Sequence, residues 1–244
     1  MITNLVVRHF RNLNAVDINT FSRVNIFYGQ NGAGKTSLLE SIYYLGLGRS
    51  FRTNHATRII NNNADSFSVF AYLTQKERQI PIGIERIRNG QRTIKINGEN
   101  VTTISDLAKQ LPLQLMSTIS YRFFFNGPKV RRQFLDWILF HVEPTFFTQW
   151  QALQRILKQR NAAIKAGLSL QQVVLWDSAF INSADTIDQL RHTILSEFKP
   201  IFMRCLQQLL PEYQIDMNYH RGWKEEESLA TILQQSLPRD RQLG

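Results

Sequence analysis

The sequence predicts an α/β protein in two parts, with strands and a glycine-rich turn over residues 1–120 and mainly helices over 121–244. Three observations carry the prediction. Period-two alternation recurs in the first half, most clearly at Ile80, Ile82 and Ile84. The short apolar run Val24–Tyr28 ends at a glycine-rich turn that opens an amphipathic stretch. After Asn126-Gly127-Pro128 the apolar residues switch to helical spacing.

Taken in order, strands are expected at 2–7, at 15–18 and at 24–28, the last leading into the turn. A helix follows over 35–47, with Leu38, Leu39, Ile42 and Leu45 on one face and Gly46 and Gly48 ending it. Strands over 67–74, 80–87 and 92–96 form an antiparallel sheet, with Asn89-Gly90 as the turn dipeptide between the last two. A short helix near 105–110 leads to "LPLQLMS", read as another strand. In the second half, Pro128 suits a first helical turn, and Phe134, Leu135, Ile138 and Leu139 follow. Pro144 opens a second helix with Trp150, Leu153, Ile156 and Leu157 inside, and Gly167 ends it. A third runs from about Leu175 to Leu210 with a kink expected at Pro200, antiparallel to the second. "YQIDMNYH" at 213–220 then alternates like a strand.

A chain of 244 residues with 43% hydrophobic residues can bury a real core. No apolar run approaches the roughly 18 residues that span a bilayer. Arginine comes too early in "MITNLVVRHFRNL" for a secretory leader, so a cytoplasmic protein is expected. Cys205 is the only cysteine, which excludes an intrachain disulfide, and it is read as a small apolar filler on a helix. The net charge of +10 points to a polyanionic partner, with nucleic acid the first candidate.

Gly29-Gln30-Asn31-Gly32-Ala33-Gly34-Lys35-Thr36 matches G-x-x-x-x-G-K-[ST] in full, between an apolar run and a helix as the motif requires. Each residue type has a reason. Glycines permit positive φ and let the amides of 31–36 converge on phosphate oxygens. The helix that starts near Lys35 adds the positive end of its dipole. The Lys35 ammonium suits the β- and γ-phosphates of ATP, and the Thr36 hydroxyl suits Mg²⁺. The plainer reading is a glycine-rich turn with no ligand.

Four longer stretches then carry a resemblance: "NLVVRHFRNL", "GQNGAGKTSLLESIYYLGLGRSFR", "GPKVRRQFLDWILFHVEP" and "LKQRNAAIK". Their order resembles that of the RecF family of bacterial recombination-repair ATPases, which is itself similar to the heads of structural-maintenance-of-chromosomes proteins. The resemblance reaches "RDRQLG" at the end of the chain. It implies a P-loop ABC-type ATPase head, here incomplete, with an inserted mainly helical lobe. It also implies binding of ATP and Mg²⁺ at residues 29–36, and ATP-dependent homodimerisation around gapped or damaged DNA. Recombinase loading with RecO and RecR as partners completes the implied role. Arg11, in "HFRN", matches a position from which related heads reach nucleotide phosphates; a solvated arginine at a strand end is the alternative.

The reaction of that family needs more than the loop. A Walker B segment supplies a Mg²⁺-binding acid and a base for water, and a signature segment clamps the γ-phosphate from a second protomer. None of the 12 glycines follows a glycine or a serine, and "SRGQ" is absent. "VVLWD" at 173–177 imitates Walker B but lacks the second acid, and Asp177 is read as an N-cap-like residue. No catalytic residue is therefore assigned, and binding without turnover is the alternative function; a P-loop small-molecule kinase is a third. The sheet is expected to lack the strand that carries Walker B, leaving an exposed edge. In "STISYRFFFNGP", Thr118, Ile119 and Asn126 replace a Pro-acid pair and a glycine of many relatives, with Gln114 as a substitute γ-phosphate contact or a plain strand-edge residue.

Residues 121–165 hold Arg122, Lys129, Arg131, Arg132, Arg155, Lys158, Arg160 and Lys165 against only Asp136 and Glu143. Arg155, Lys158 and Lys165 share a helix face by spacing. Contacts of this kind grip DNA phosphates without reading sequence, and a solvated face is the alternative. Phe123, Phe124 and Phe125 are expected in the core rather than as a base-stacking platform.

Overall fold

The computed structural model describes residues 1–75, 77–118, 120–223 and 227–243, without the side chains of Arg122, Phe124 and Leu243. Two compact units divide the chain, Met1–Thr118 and Ile119–Gly244.

The first unit is built on one antiparallel sheet of six strands in the order β2-β1-β3-β4-β5-β6. These are β1 (Ile2–Phe10), β2 (Leu13–Ile18), β3 (Ser66–Gln75), β4 (Arg78–Ile87), β5 (Arg92–Ile96) and β6 (Glu99–Val101). Alternation explains which face is buried: Phe67, Val69, Ala71 and Leu73 of β3 point inward with Ile82 and Ile84 of β4. Helix α1 (Lys35–Leu47) adds Leu38, Tyr44 and Leu45 to the same core, where Phe10, Tyr44 and Phe67 meet edge to face. Leu39, assigned to this face from spacing, is 47% exposed. Ser41 and Glu40 take the interior positions between the apolar residues instead. Helix α2 (Ile104–Gln110) starts at Thr103, whose hydroxyl accepts from the Asp106 amide.

Strand β6 was not expected, although Asn97-Gly98 marks its turn. Both residues have positive φ, and Ile96 pairs with Glu99, the geometry of a two-residue hairpin. Two expected strands are corrected in the other direction. Residues 24–28 run without ladder partners, and Val24, Ile26 and Tyr28 are 76%, 80% and 91% exposed. Residues 111–117 also belong to no strand. The cause is shared. An apolar or alternating run is ready to pair, but a strand needs a neighbour, and neither segment has one among the described residues.

The second unit is helical: α3 (Arg122–Phe125), α4 (Pro128–Val142), α5 (Phe146–Lys165), α6 (Leu170–Leu209) and α7 (Leu229–Leu243). Pro128 occupies the first turn of α4, and Gly167, at φ 69°, reverses the chain after α5. Helix α6 begins earlier than expected, because Ser169 and Gln172 form a reciprocal capping box at its start. Pro200 lies inside this 40-residue helix. Asp177 is therefore not a cap. It sits two turns into α6, buried, accepting from Arg160 Nε at 2.7 Å. Residues 213–220 form no strand; Tyr219 donates to Asp188 Oδ1 of α6 instead. Cys205 is exposed rather than filling a core.

Helix α7 was not expected, and its polar composition with Pro238 conceals it. It places Leu237 against Ala163, Ile164 and Val173, and Asp240 lies 3.7 Å from Arg160 Nη1. Arg160 thus joins α5, α6 and α7 from the inside.

Candidate functional site

The glycine-rich loop runs directly into the first turn of α1. Gly32 and Gly34 have φ of 83° and 94°, so the chain bends there through a region that side chains disfavour. A Cβ on Gly34 would stand 2.5 Å from Leu13 Cδ2 and 3.4 Å from Asn12 Nδ2, so the loop also needs glycine for close approach to the β1–β2 turn. Gly34 is the N-cap of α1, and among the described residues no side-chain cap bond satisfies the free amides there. The Lys35 ammonium folds back over the loop and donates to the carbonyls of Gly29 and Gln30 at 2.7 and 2.8 Å. Beside it lies a hollow of about 350 Å³ lined by Leu13, Val16, Phe27, Tyr28, Lys35 and Leu38 among others. The arrangement offers an ammonium, uncapped helix amides and an apolar wall to one small anion-bearing ligand.

Two residues that sequence reasoning missed hold this loop in place. Asn12 donates from Nδ2 to the Gly32 carbonyl at 2.8 Å and accepts from Ser37 Oγ at 2.7 Å. Glu40 of α1 is fully buried, yet ionisable. Arg11 answers it with two bonds, Nη2 to Oε1 at 2.7 Å and Nε to Oε2 at 3.1 Å. Ser50 also donates to Glu40 Oε1, and Arg52 lies 3.6 Å from Oε2. Arg11 further donates to the Arg58 carbonyl at 2.9 Å. It is neither solvated nor turned to the loop; its guanidinium ties β1 to α1.

Both His9 and Arg11 have positive φ, 54° and 56°. For a residue with a Cβ that conformation costs about 1–2 kcal/mol. The surrounding bonds over-determine it: Asn61 N donates to the His9 carbonyl, and Arg11 N donates to the Ile59 carbonyl at 2.6 Å. No feature of the local pattern marks Asn12 or Glu40, since Gly32 lies 20 residues from Asn12 and Arg11 lies 29 from Glu40.

The basic residues of the second unit separate into two groups. Arg155, Lys158 and Lys165 are exposed on α5, as are Lys129, Arg131 and Arg132 on α4. Arg160 is only 3% exposed and is removed from the surface face. Its burial follows from Asp177 and Asp240, which neutralise it. Phe123 packs edge to face on Phe134, whereas Phe125, expected in the core, is 79% exposed. Thr118, Asn126 and Gln114 are exposed; Ile119 and the side chains of Arg122 and Phe124 lie outside the described residues. No helix among the described residues is long and apolar enough to cross a membrane.

A sheet-backed glycine loop opening an amphipathic helix, followed by a helical unit, defines a P-loop protein of the RecF/RecN/SMC N-terminal domain class, whose family model matches residues 1–166. Within that class the chain belongs to the RecF family of DNA replication and repair proteins. It is 51% identical over 243 residues to the DNA replication and repair protein RecF of Coxiella burnetii (strain RSA 493 / Nine Mile phase I), covering 100% of this chain and 68% of that one. It is 37% identical over 243 residues to the protein of the same name from Shewanella oneidensis, again over 100% and 68%. A solved structure of the recombination mediator protein RecF with ATP in the RecFOR pathway superposes with a TM-score of 0.84 at 22% identity. That match covers 100% of this chain and 69% of the other. The α/β P-loop head with a helical part is thus the fold of this family.

Proposed function

We propose that this chain binds Mg·ATP at Gly29–Thr36 and DNA phosphates through its helical part, in support of recombinational repair. The observation that carries the reading is the Lys35 ammonium held over a loop of left-handed glycines at the uncapped start of α1. In it, Lys35 would exchange two carbonyls for phosphate oxygens, the amides of 31–36 would take the remaining oxygens, and the Thr36 hydroxyl would hold Mg²⁺. The relatives' name, DNA replication and repair protein RecF, and the ATP in a RecF structure of the same fold support this assignment. Residues 1–120 are the nucleotide lobe in this reading, and 121–244 the helical lobe.

DNA is held without regard to sequence by Arg155, Lys158 and Lys165, whose exposed positions on α5 are the supporting observation. The wider assembly is that of the family: an ATP-dependent homodimer in the cytoplasm, loading recombinase with RecO and RecR. Duplex binding should weaken steeply with salt, because each neutralised phosphate releases counterions. Charge reversal at Arg155, Lys158 and Lys165 together should lower affinity and reduce the slope of log K against log salt by about three. A parental slope in the triple variant would mean that the face is merely solvated.

A second reading, a grip on ATP without hydrolysis by this chain, is favoured by one specific observation. The apolar run ending in an acid at 173–177 lies within a helix, and Asp177 is engaged with Arg160 rather than free to hold Mg²⁺. Glu40, the acid nearest the loop in sequence, is likewise occupied by Arg11. Each of these carboxylates is engaged by an arginine.

A further inference from the structure

We propose that Asn12 is a positioning residue for the phosphate loop, a clamp in the β1–β2 turn that sets which way the loop amides face. The inference rests on the nucleotide site proposed for residues 29–36.

The clamp acts on the peptide between Gly32 and Ala33. Its carbonyl accepts from Asn12 Nδ2 at 2.8 Å. Peptide planarity then sends the Ala33 N–H the opposite way, into the loop, where it donates to the Gln30 carbonyl at 3.3 Å. That bond is long, so an arriving phosphate oxygen competes easily for the donor. Glycine at 32 leaves this peptide free to rotate, with no Cβ and open space around it. Without the Asn12 donor, the carbonyl and the amide can exchange directions, and the loop would then turn an acceptor toward an anion.

The same side chain reaches the helix. Its Oδ1 accepts from Ser37 Oγ at 2.7 Å, in the first turn of α1. One amide therefore spans the loop and the helix start, and fixes their separation. Its own position is firm. Arg11, the preceding residue, is held in a left-handed conformation by the Ile59 carbonyl, the Arg58 carbonyl and the buried Glu40. The turn is thus anchored to the body of α1 on one side and grips the loop on the other. Asparagine suits the position because its short planar amide offers a donor to Gly32 and an acceptor to Ser37 together.

The test compares Asn12→Ala, Asn12→Asp and Ser37→Ala with the parent chain and with Lys35→Ala. Calorimetry would read the affinity for Mg·ATP and for inorganic triphosphate, alongside melting temperature. Asn12→Ala should weaken both ligands about tenfold, with nearly the parental melting temperature. Asn12→Asp keeps the acceptor for Ser37 but sets an oxygen against the Gly32 carbonyl, so it should lose more than Asn12→Ala. Ser37→Ala leaves the bond to Gly32 in place and should lose less than about threefold. Parental affinity in a folded Asn12→Ala or Asn12→Asp variant would overturn the clamp. If Lys35→Ala loses affinity while the Asn12 variants do not, only the clamp fails. If Lys35→Ala binds as the parent does, the loop is not the nucleotide site and the clamp falls with it.

Discussion

Lys35→Ala is expected to lower the affinity for ATP and ADP by about two orders of magnitude while leaving the fold intact. The Lys35 ammonium is exposed and engages only the carbonyls of Gly29 and Gln30, at 2.7 and 2.8 Å, among the described contacts. Water replaces it there at little cost, so the melting temperature should hardly move. A phosphate loses more. Hydrogen bonds to charged groups are worth about 1.5–3 kcal/mol, and one such ammonium bond corresponds to roughly 10–150-fold in affinity. Calorimetry on parent and variant measures this directly, and equal affinities would take the loop out of the account. Hydrolysis gives a second readout. In the non-hydrolytic reading the two proteins should show the same residual rate, since preorganised catalytic groups are each worth about 10² or more. Steady turnover in the parent that vanishes in the variant would show that an unrecognised group orients the water.

Arg11→Ala should strongly destabilise the first unit. It removes two of the bonds to a carboxylate that has no solvent exposure, leaving Ser50 and the more distant Arg52. Breaking a buried pair from one side costs about 3–5 kcal/mol, because the remaining charge is stranded in a poor solvent. Replacing both partners is a different matter. Arg11→Met with Glu40→Leu removes the charges together, and such exchanges are frequently neutral once packed. Equilibrium urea unfolding should therefore show a large loss for Arg11→Ala and recovery of most of it in the double variant. A loss below about 1 kcal/mol in the single variant would place the network among solvated surface pairs, for which that is the usual ceiling.

Much of this was legible in the sequence, and particular residues show why the rest was not. The loop at 29–36 and helix α1 are local: four fixed positions and an apolar spacing specify them within a short stretch. Strands β3 to β5 are equally local, because alternation and a turn dipeptide need no distant partner to be recognised. The segment 24–28 is an apolar run of strand length, but a ladder is a property of two segments, and only one is visible in a local pattern. Arg160 counted as surface charge for the same reason. Its burial depends on Asp177 and on Asp240, 80 residues further along the chain. Glu40 reads as an ordinary polar position on an amphipathic helix, although Arg11 lies 29 residues earlier and makes it interior. Helix α7 does carry a helical pattern at Leu229, Ile232, Leu233 and Leu237, yet its apolar stripe is short, and Asp240 on the same face is explained only by Arg160.

The central claim is that residues 29–36 hold the phosphates of a nucleotide, and a crystal structure of the chain with Mg·ADP tests it most directly. The β-phosphate should lie within the loop, with Lys35 Nζ withdrawn from the Gly29 and Gln30 carbonyls to a phosphate oxygen. The Ala33 amide should have turned from Gln30 to the phosphate, and Asn12 should still hold the Gly32 carbonyl. Nucleotide bound elsewhere, with Lys35 still closed over the two carbonyls, would contradict it.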